Sequence, residues 1–123
     1  MKDKNVFIFE GLGSSFNIEK CWFTMSQMDL LKKYVHRAES VLGISLWDHM
    51  LTPVDLRKPE LFKEWIGVYV SDYVIYKILR SYGYAPSYIL SYSVGLLFAL
   101  AAIGSISFED GLRLVQMSYY FNG

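Results

Sequence analysis

A single cysteine, Cys21, excludes an intrachain disulfide, and two histidines, His36 and His49, at separate places in the sequence are too few for a metal framework. The expected setting is reducing and cytoplasmic. Charge of one sign is missing as well. Twelve Lys+Arg are balanced by twelve Asp+Glu, so there is no basic field to neutralise a phosphate backbone, and nucleic acid is excluded as an expected partner. The apolar run at residues 6–9 is stopped by Glu10, too soon for a secretory leader. The one long stretch without charge or histidine, residues 81–108, could span a bilayer by length alone. It is broken by Gly83, Pro86, Ser91, Ser93, Gly95, Gly104, Ser105 and Ser107, which leaves residues 94–103 as its only compact apolar run. That is about half of what spanning needs, so a buried helix is predicted and no membrane partner. Internal repeats and low-complexity segments are absent.

What the chain does have is apolar and aromatic bulk: 53% hydrophobic residues in 123, with ten Tyr, eight Phe and three Trp. That composition is far from disorder and suits one domain, residues 1–123, with a single core. Val6-Phe7-Ile8-Phe9 is a continuous β-branched and aromatic run ahead of Gly11-Leu12-Gly13-Ser14-Ser15, predicting a strand buried on both faces and then a glycine-rich loop. Ser26-Gln27-Met28-Asp29 has the form of a capping box before Leu30, Leu31, Tyr34, Val35 and Ala38, predicting a helix over 26–42 closed by Gly43. Residues 45–51 add a helical turn, and Thr52-Pro53 with Pro59 bounds a polar connector. A second long helix follows over 59–82, with Leu61, Trp65, Val68, Tyr69, Tyr73, Tyr76 and Leu79 on one stripe and Gly83 as its stop. Tyr88-Ile89-Leu90 predicts a second buried strand, residues 91–95 a turn, the run to residue 103 a buried helix stopped by Gly104, and Ser107-Phe108-Glu109-Asp110 the cap of a last helix. Apolar strands alternating with helices predict an α/β fold with a parallel sheet.

Ser93 stands in Ser91-Tyr92-Ser93-Val94-Gly95, between the second strand and the buried helix. A nucleophile elbow belongs there: small residues two before and two after the serine let strand and helix approach, and the helix amino end lends free N–H groups to a developing oxyanion. The first glycine of the strict Gly-x-Ser-x-Gly form is replaced by Ser91, so the residues alone also admit a plain turn in a serine-rich segment, or an elbow of the α/β-hydrolase type. Gly11-x-Gly13 is no dinucleotide fingerprint, because Phe16 holds the third glycine's place. The aromatic abundance, including Tyr119-Tyr120-Phe121, suits core or interface better than a ligand cage.

Taken in order, Glu10-Gly11-Leu12-Gly13-Ser14-Ser15, then Gly83-Tyr84-Ala85-Pro86-Ser87-Tyr88-Ile89-Leu90-Ser91-Tyr92-Ser93-Val94-Gly95, then Ala99-Leu100-Ala101-Ala102-Ile103-Gly104 and Ser107-Phe108-Glu109-Asp110-Gly111, resemble the acyl-carrier-protein transacylases. This family comprises the malonyl-CoA transacylases and the acyltransferase domains of polyketide and fatty-acid synthases. Its members open with a Pro-Gly-Gln-Gly-Ser-Gln loop after a strand and carry Gly-His-Ser-Leu-Gly at the elbow. The resemblance covers essentially the whole chain but only the front of a family member. It implies part of the large acyltransferase subdomain, a short parallel sheet flanked by helices, without the ferredoxin-like subdomain. It further implies a serine acyl-enzyme that takes an acyl group from coenzyme A, as substrate rather than cofactor, and passes it to an acyl carrier protein. Ser93 maps to the nucleophile, and the backbone N–H groups of Leu12 and Val94 map to the oxyanion hole.

Several positions depart from the family pattern. Leu12 replaces the loop glutamine, Glu10 the proline, Tyr92 the histidine before the nucleophile, and Ser118 the arginine that pairs with a malonyl carboxylate. The family's general-base histidine lies further along than Gly123. His36, beside Lys32, Lys33 and Arg37, is expected on a solvated helix face, and His49 in a local surface pair with Asp48. A serine without a base is a poor nucleophile. The expectation is therefore an acyltransferase-like protein that does not act alone, or part of a serine acyltransferase completed by a partner. Two strands are few for a parallel sheet, so exposed apolar surface and a complementary chain or a homo-oligomer are also expected.

Overall fold

The computed structural model describes residues 6–9, 16, 18, 21, 23–85, 88–91 and 95–122. Strand β1 (Val6–Phe9) pairs in parallel with β2 (Tyr88–Ser91), with Val6 opposite Tyr88 and Phe9 opposite Ser91. A parallel pair needs a crossover. Here it runs through α1 (Met25–Leu42), the short α2 (Trp47–Leu51), a 3-10 turn at Val54–Leu56 and α3 (Leu61–Ser81). Beyond β2 come α4 (Gly95–Ala102) and α5 (Phe108–Asn122).

The first helix begins two residues earlier than its serine suggests. Thr24, not Ser26, is the N-cap: its hydroxyl accepts from Gln27 N–H at 3.2 Å while Gln27 Oε1 accepts from Thr24 N–H at 2.9 Å. The reciprocal bond needs a Glu or Gln at the third position, and Asp29 is one methylene short of that. Gly43 closes the helix in the left-handed region, φ 66°, as its place after the apolar stripe requires. Leu31, Tyr34, Val35 and Ala38 are buried from this helix.

α3 is the central element and packs against α1, α4 and α5. The single stripe expected of it holds at Trp65, Val68 and Tyr69, but Ile66, Gly67, Val70 and Ser71 are buried too, so its middle is enclosed on all sides. Ser71 is tolerated there because its hydroxyl donates to the Gly67 carbonyl at 2.6 Å. An aromatic cluster ties the helices together. Phe108 at the start of α5 meets Tyr34 of α1 at 5.0 Å and Tyr73 of α3 at 4.8 Å, and Tyr69 bridges Phe108 and Phe98 of α4, each at 5.4 Å.

The first strand departs from expectation. Phe7 packs edge-on to Tyr76 of α3 at 5.6 Å, but Val6 and Ile8 on alternate positions are 49% and 57% exposed. One face of β1 is covered, not two. Among the described residues the sheet has these two strands only, so no third layer covers the other face.

Candidate functional site at the carboxyl edge of the sheet

Ser93, Leu12 and Val94, with Tyr92, lie outside the described residues. What surrounds them is described. Because Phe9 and Ser91 are register partners in a parallel pair, the chain leaves both strands at the same sheet edge. Gly95, four residues after Ser91, opens α4 and is buried. The amino end of a helix leaves its first N–H groups without intrahelical partners. The strand end and the buried helix start are thus separated by three residues, the spacing of an elbow, at the sheet edge where β1 also ends.

The placement of α4 rests on α3 and α5. Phe98, Ala99 and Ala101 are buried, and Phe98 meets the Tyr69 ring edge-on. The Tyr69 hydroxyl donates to the Phe108 carbonyl at 2.8 Å, and burial pushes that phenol far up from its ordinary value. Gly104, φ 85°, turns the chain from α4 towards α5. Ser107 then caps α5 as expected, accepting from Asp110 N–H at 3.0 Å. Glu109, in the first turn of α5, pairs with Arg37 of α1. That hydrogen bond raises the guanidinium and holds the carboxyl below its usual range. The same guanidinium lies over the rings of Tyr34 at 5.0 Å and Phe108 at 5.3 Å.

The two histidines fare differently. His36 sits on an exposed face of α1, as expected, and its Nδ1 is 2.7 Å from Glu39 Oε1. His49 is not a surface residue paired with Asp48. It is buried, its Nε2 lies 2.7 Å from Glu64 Oε1 of α3 and its Nδ1 lies 3.6 Å from Glu60 Oε2. Its neighbour Met50 is buried against Gly67 of α3, and Leu46 just before α2 is buried too, which turns the imidazole inward to α3.

Arg57, in the supposedly polar connector, is the residue that sequence reasoning missed. Its side chain is only 4% exposed and every part of its fork is used. Nε donates to Thr52 O at 2.8 Å, one terminal nitrogen to both Glu64 oxygens at 3.0 and 3.2 Å, and the other to the carbonyls of Phe16 and Met50. It fastens the stretch before α1 to α2 and α3. A lone arginine between two prolines gave no periodic signal of burial. Ser118, where the resemblance puts a carboxylate-binding arginine, is half-buried on α5. Among the described residues, no group of three His, Cys, Asp or Glu side chains could hold a metal ion, and no helix is long and apolar enough to cross a membrane.

No protein-family model matches the chain, and no curated protein does. Solved structures do. A malonyl-transacylase in complex with its type II polyketide-synthase acyl-carrier protein matches with a TM-score of 0.75 at 21% identity, over 94% of this chain and 37% of its own. The malonyl-CoA:ACP transacylase of Synechocystis matches at 0.66 and 25%, over 92% and 38%. The acyl-carrier-protein S-malonyltransferase of Burkholderia pseudomallei matches at 0.72 and 25%, over 92% and 36%. What is shared is the fold, that of a partial acyltransferase domain, and the chain spans little more than a third of the length of these structures.

Proposed function

We propose that this chain is an acyltransferase-like protein, related to the transacylases that move acyl groups from coenzyme A to acyl carrier proteins in fatty-acid or polyketide synthesis, and that it is not competent alone. In this reading residues 1–123 are one domain, the amino-terminal portion of such an acyltransferase, set in the cytoplasm. The observation that carries the reading is the parallel pairing of β1 and β2, which end together at Phe9 and Ser91, with α4 starting at Gly95 in a transacylase-like fold.

In the reaction, Ser93 Oγ attacks the thioester carbonyl of an acyl-CoA and loses its proton to a base. The tetrahedral oxyanion is held by the backbone N–H groups of Leu12 and Val94, which survive any change of side chain. Collapse expels the coenzyme A thiolate and leaves an acyl-serine. The phosphopantetheine thiol of a carrier protein then attacks the ester and releases the serine. Coenzyme A thioester is the substrate here, and no cofactor is required. With Ser118 in place of an arginine, a malonyl carboxylate has no bidentate partner at that position, so an uncharged acyl group is taken as readily. In this reading the base comes from elsewhere: neither histidine lies in β2 or α4, His36 being on an exposed face of α1 beside Glu39 and His49 buried against Glu64 with Glu60 near its other nitrogen. A second reading, a serine acyltransferase completed by a partner or by further chain that supplies the histidine, is favoured by the span of about a third of the matched structures.

Intact-protein mass after incubation with malonyl-CoA and, separately, acetyl-CoA tests this. The chain alone is expected to remain unmodified, like its Ser93→Ala variant. A Ser93-dependent adduct would refute the non-competent reading and name the acyl group. An adduct that persists in Ser93→Ala would refute the assignment of Ser93.

A further inference from the structure

Three cations gather around the ring of Tyr34. Lys33 Nζ lies 5.7 Å from its centroid, the Arg37 guanidinium 5.0 Å, and Lys77 Nζ, reaching over from α3, 5.9 Å. No two of these charges are then further apart than twice the longest of those distances, close to the roughly 8–10 Å over which salt screens a charge. One carboxylate answers them, Glu109 on Arg37. Among the described residues Lys33 and Lys77 have no carboxylate partner. Asp29, exposed one turn before Lys33, pairs with neither, and Glu39 is turned to the N–H groups of Leu46 and Trp47. The imbalance begins in the sequence, which holds Lys77 and Arg80 but no Asp or Glu between Asp72 and Glu109.

An ordinary solvated helix face pairs its cations with carboxylates three or four residues away, as Lys63 with Glu60 and Arg113 with Asp110 do here. At Tyr34 the ammonium groups are held instead by ring faces, for Lys77 also that of Tyr73 at 5.0 Å, and a ring carries no net charge. Two positive charges are therefore left uncompensated. Beside them Lys33, Arg37 and Ser40, at four- and three-residue steps along α1, line a groove of about 320 Å³ with His36, Val41 and Glu109. Pockets for small ligands begin at about 300 Å³. A carboxylate or a phosphodiester would match one of the two charges. A phosphate, free or as a monoester, carries about −1.5 to −2 at neutral pH and three strong acceptor oxygens, which matches both. Glu109 does not repel it in full, because Arg37 neutralises that carboxylate.

We propose that the groove at Lys33, Arg37 and Ser40, with Lys77 beside it, is a binding site for a phosphate dianion. The proposal goes beyond the acyl-transfer reading and uses none of its residues, so either can fail while the other stands. The test titrates the isotope-labelled full chain with inorganic phosphate and, separately, glycerol 3-phosphate, against sodium chloride at equal ionic strength, and follows backbone amide shifts by NMR. Saturable shifts confined to α1 and the second half of α3 are expected with phosphate and not with chloride. Tighter binding of glycerol 3-phosphate would mark an esterified phosphate as the natural ligand, and tighter binding of inorganic phosphate the free ion. Lys33→Gln with Lys77→Gln is expected to weaken binding at least tenfold, Lys33→Arg with Lys77→Arg to retain it, and Lys58→Gln, which removes one charge at an exposed position elsewhere, to leave it unchanged. The proposal is overturned when phosphate shifts no more than chloride does, when the shifts fall outside α1 and α3, or when the double Gln variant, folded by its near-ultraviolet circular dichroism, binds like the unmodified chain. A loss in Lys58→Gln equal to that in the double variant would also overturn it, since net charge alone would then explain the binding.

Discussion

Gly111 in α5 faces the Tyr69 ring so closely that its lack of a side chain becomes a packing requirement. A Cβ placed there would fall inside the Tyr69 hydroxyl and lie 2.8 Å from Cζ and 3.1 Å from Cε2. In an open helix Gly→Ala gains about 1 kcal/mol. At this site overpacking costs about 2–3 kcal/mol, and displacing the ring forfeits the Tyr69–Phe108 hydrogen bond, worth about 1 kcal/mol. Gly111→Ala is therefore expected to lose about 2–3 kcal/mol net. Tyr69→Phe alone loses about 1 kcal/mol. In that background the hydroxyl collision is gone while the contact at Cζ remains, so adding Gly111→Ala costs no more than about 1 kcal/mol further, a coupling of about 2 kcal/mol. Urea unfolding of the four proteins, followed by circular dichroism, measures this directly. Additivity within about 0.5 kcal/mol, or a Gly111→Ala that stabilises as an ordinary helix position does, would refute the reasoning.

Arg57→Lys keeps the charge but offers three donors for the work of five. It leaves buried carbonyls and part of Glu64 without partners, and about 3 kcal/mol or more is expected to be lost in the same assay. A loss under about 1 kcal/mol would show that the knot is ornamental. Glu39 receives the N–H groups of Leu46 at 2.7 Å and Trp47 at 3.0 Å and so serves as the cap that α2 lacks of its own. Burial alone would raise its carboxyl, but those bonds and His36 outweigh it, and the folded value lies below the ordinary 4.5. A depressed carboxylate stabilises fully above its unfolded value and loses that contribution as pH falls through the folded one. Wild type should thus exceed Glu39→Gln by about 1 kcal/mol at neutral pH, with the gap closing on acidification below about 4.5. A gap that is constant or widens in acid is the contrary result.

Much of the fold was legible because its signals are local. Val6-Phe7-Ile8-Phe9 and Tyr88-Ile89-Leu90 read as strands through β-branched and aromatic continuity, and Gly43, Gly83 and Gly104 marked helix ends where positive φ values are found. The capping box was misplaced by two residues, since Ser26 and Thr24 compete within one turn and only the length of Gln27 decides between them. That β1 buries one face rather than two could not be read from its four residues. A continuous apolar run looks the same whether its second cover is present or not, and Val6 and Ile8 show the difference only once the elements around them are counted.

The candidate site divides along the same line. An elbow is a contiguous pattern, so Ser93 could be placed between a strand and a helix, and the structure puts β2 and α4 on either side of it. A base is a non-local partner, and no spacing within the chain announces which element brings it. His49 makes the point: next to Asp48 in sequence, it turns inward to Glu64, fifteen residues on, beside Met50, which packs against Gly67 of α3. The arginine that completes that knot, Arg57, is silent in the sequence for the same reason, since its five bonds reach Phe16, Met50, Thr52 and Glu64. In the proposed reaction a base for Ser93 depends on which element folds against the sheet edge, and neither α1, which carries His36, nor α2, which carries His49, is contiguous with β2 or α4.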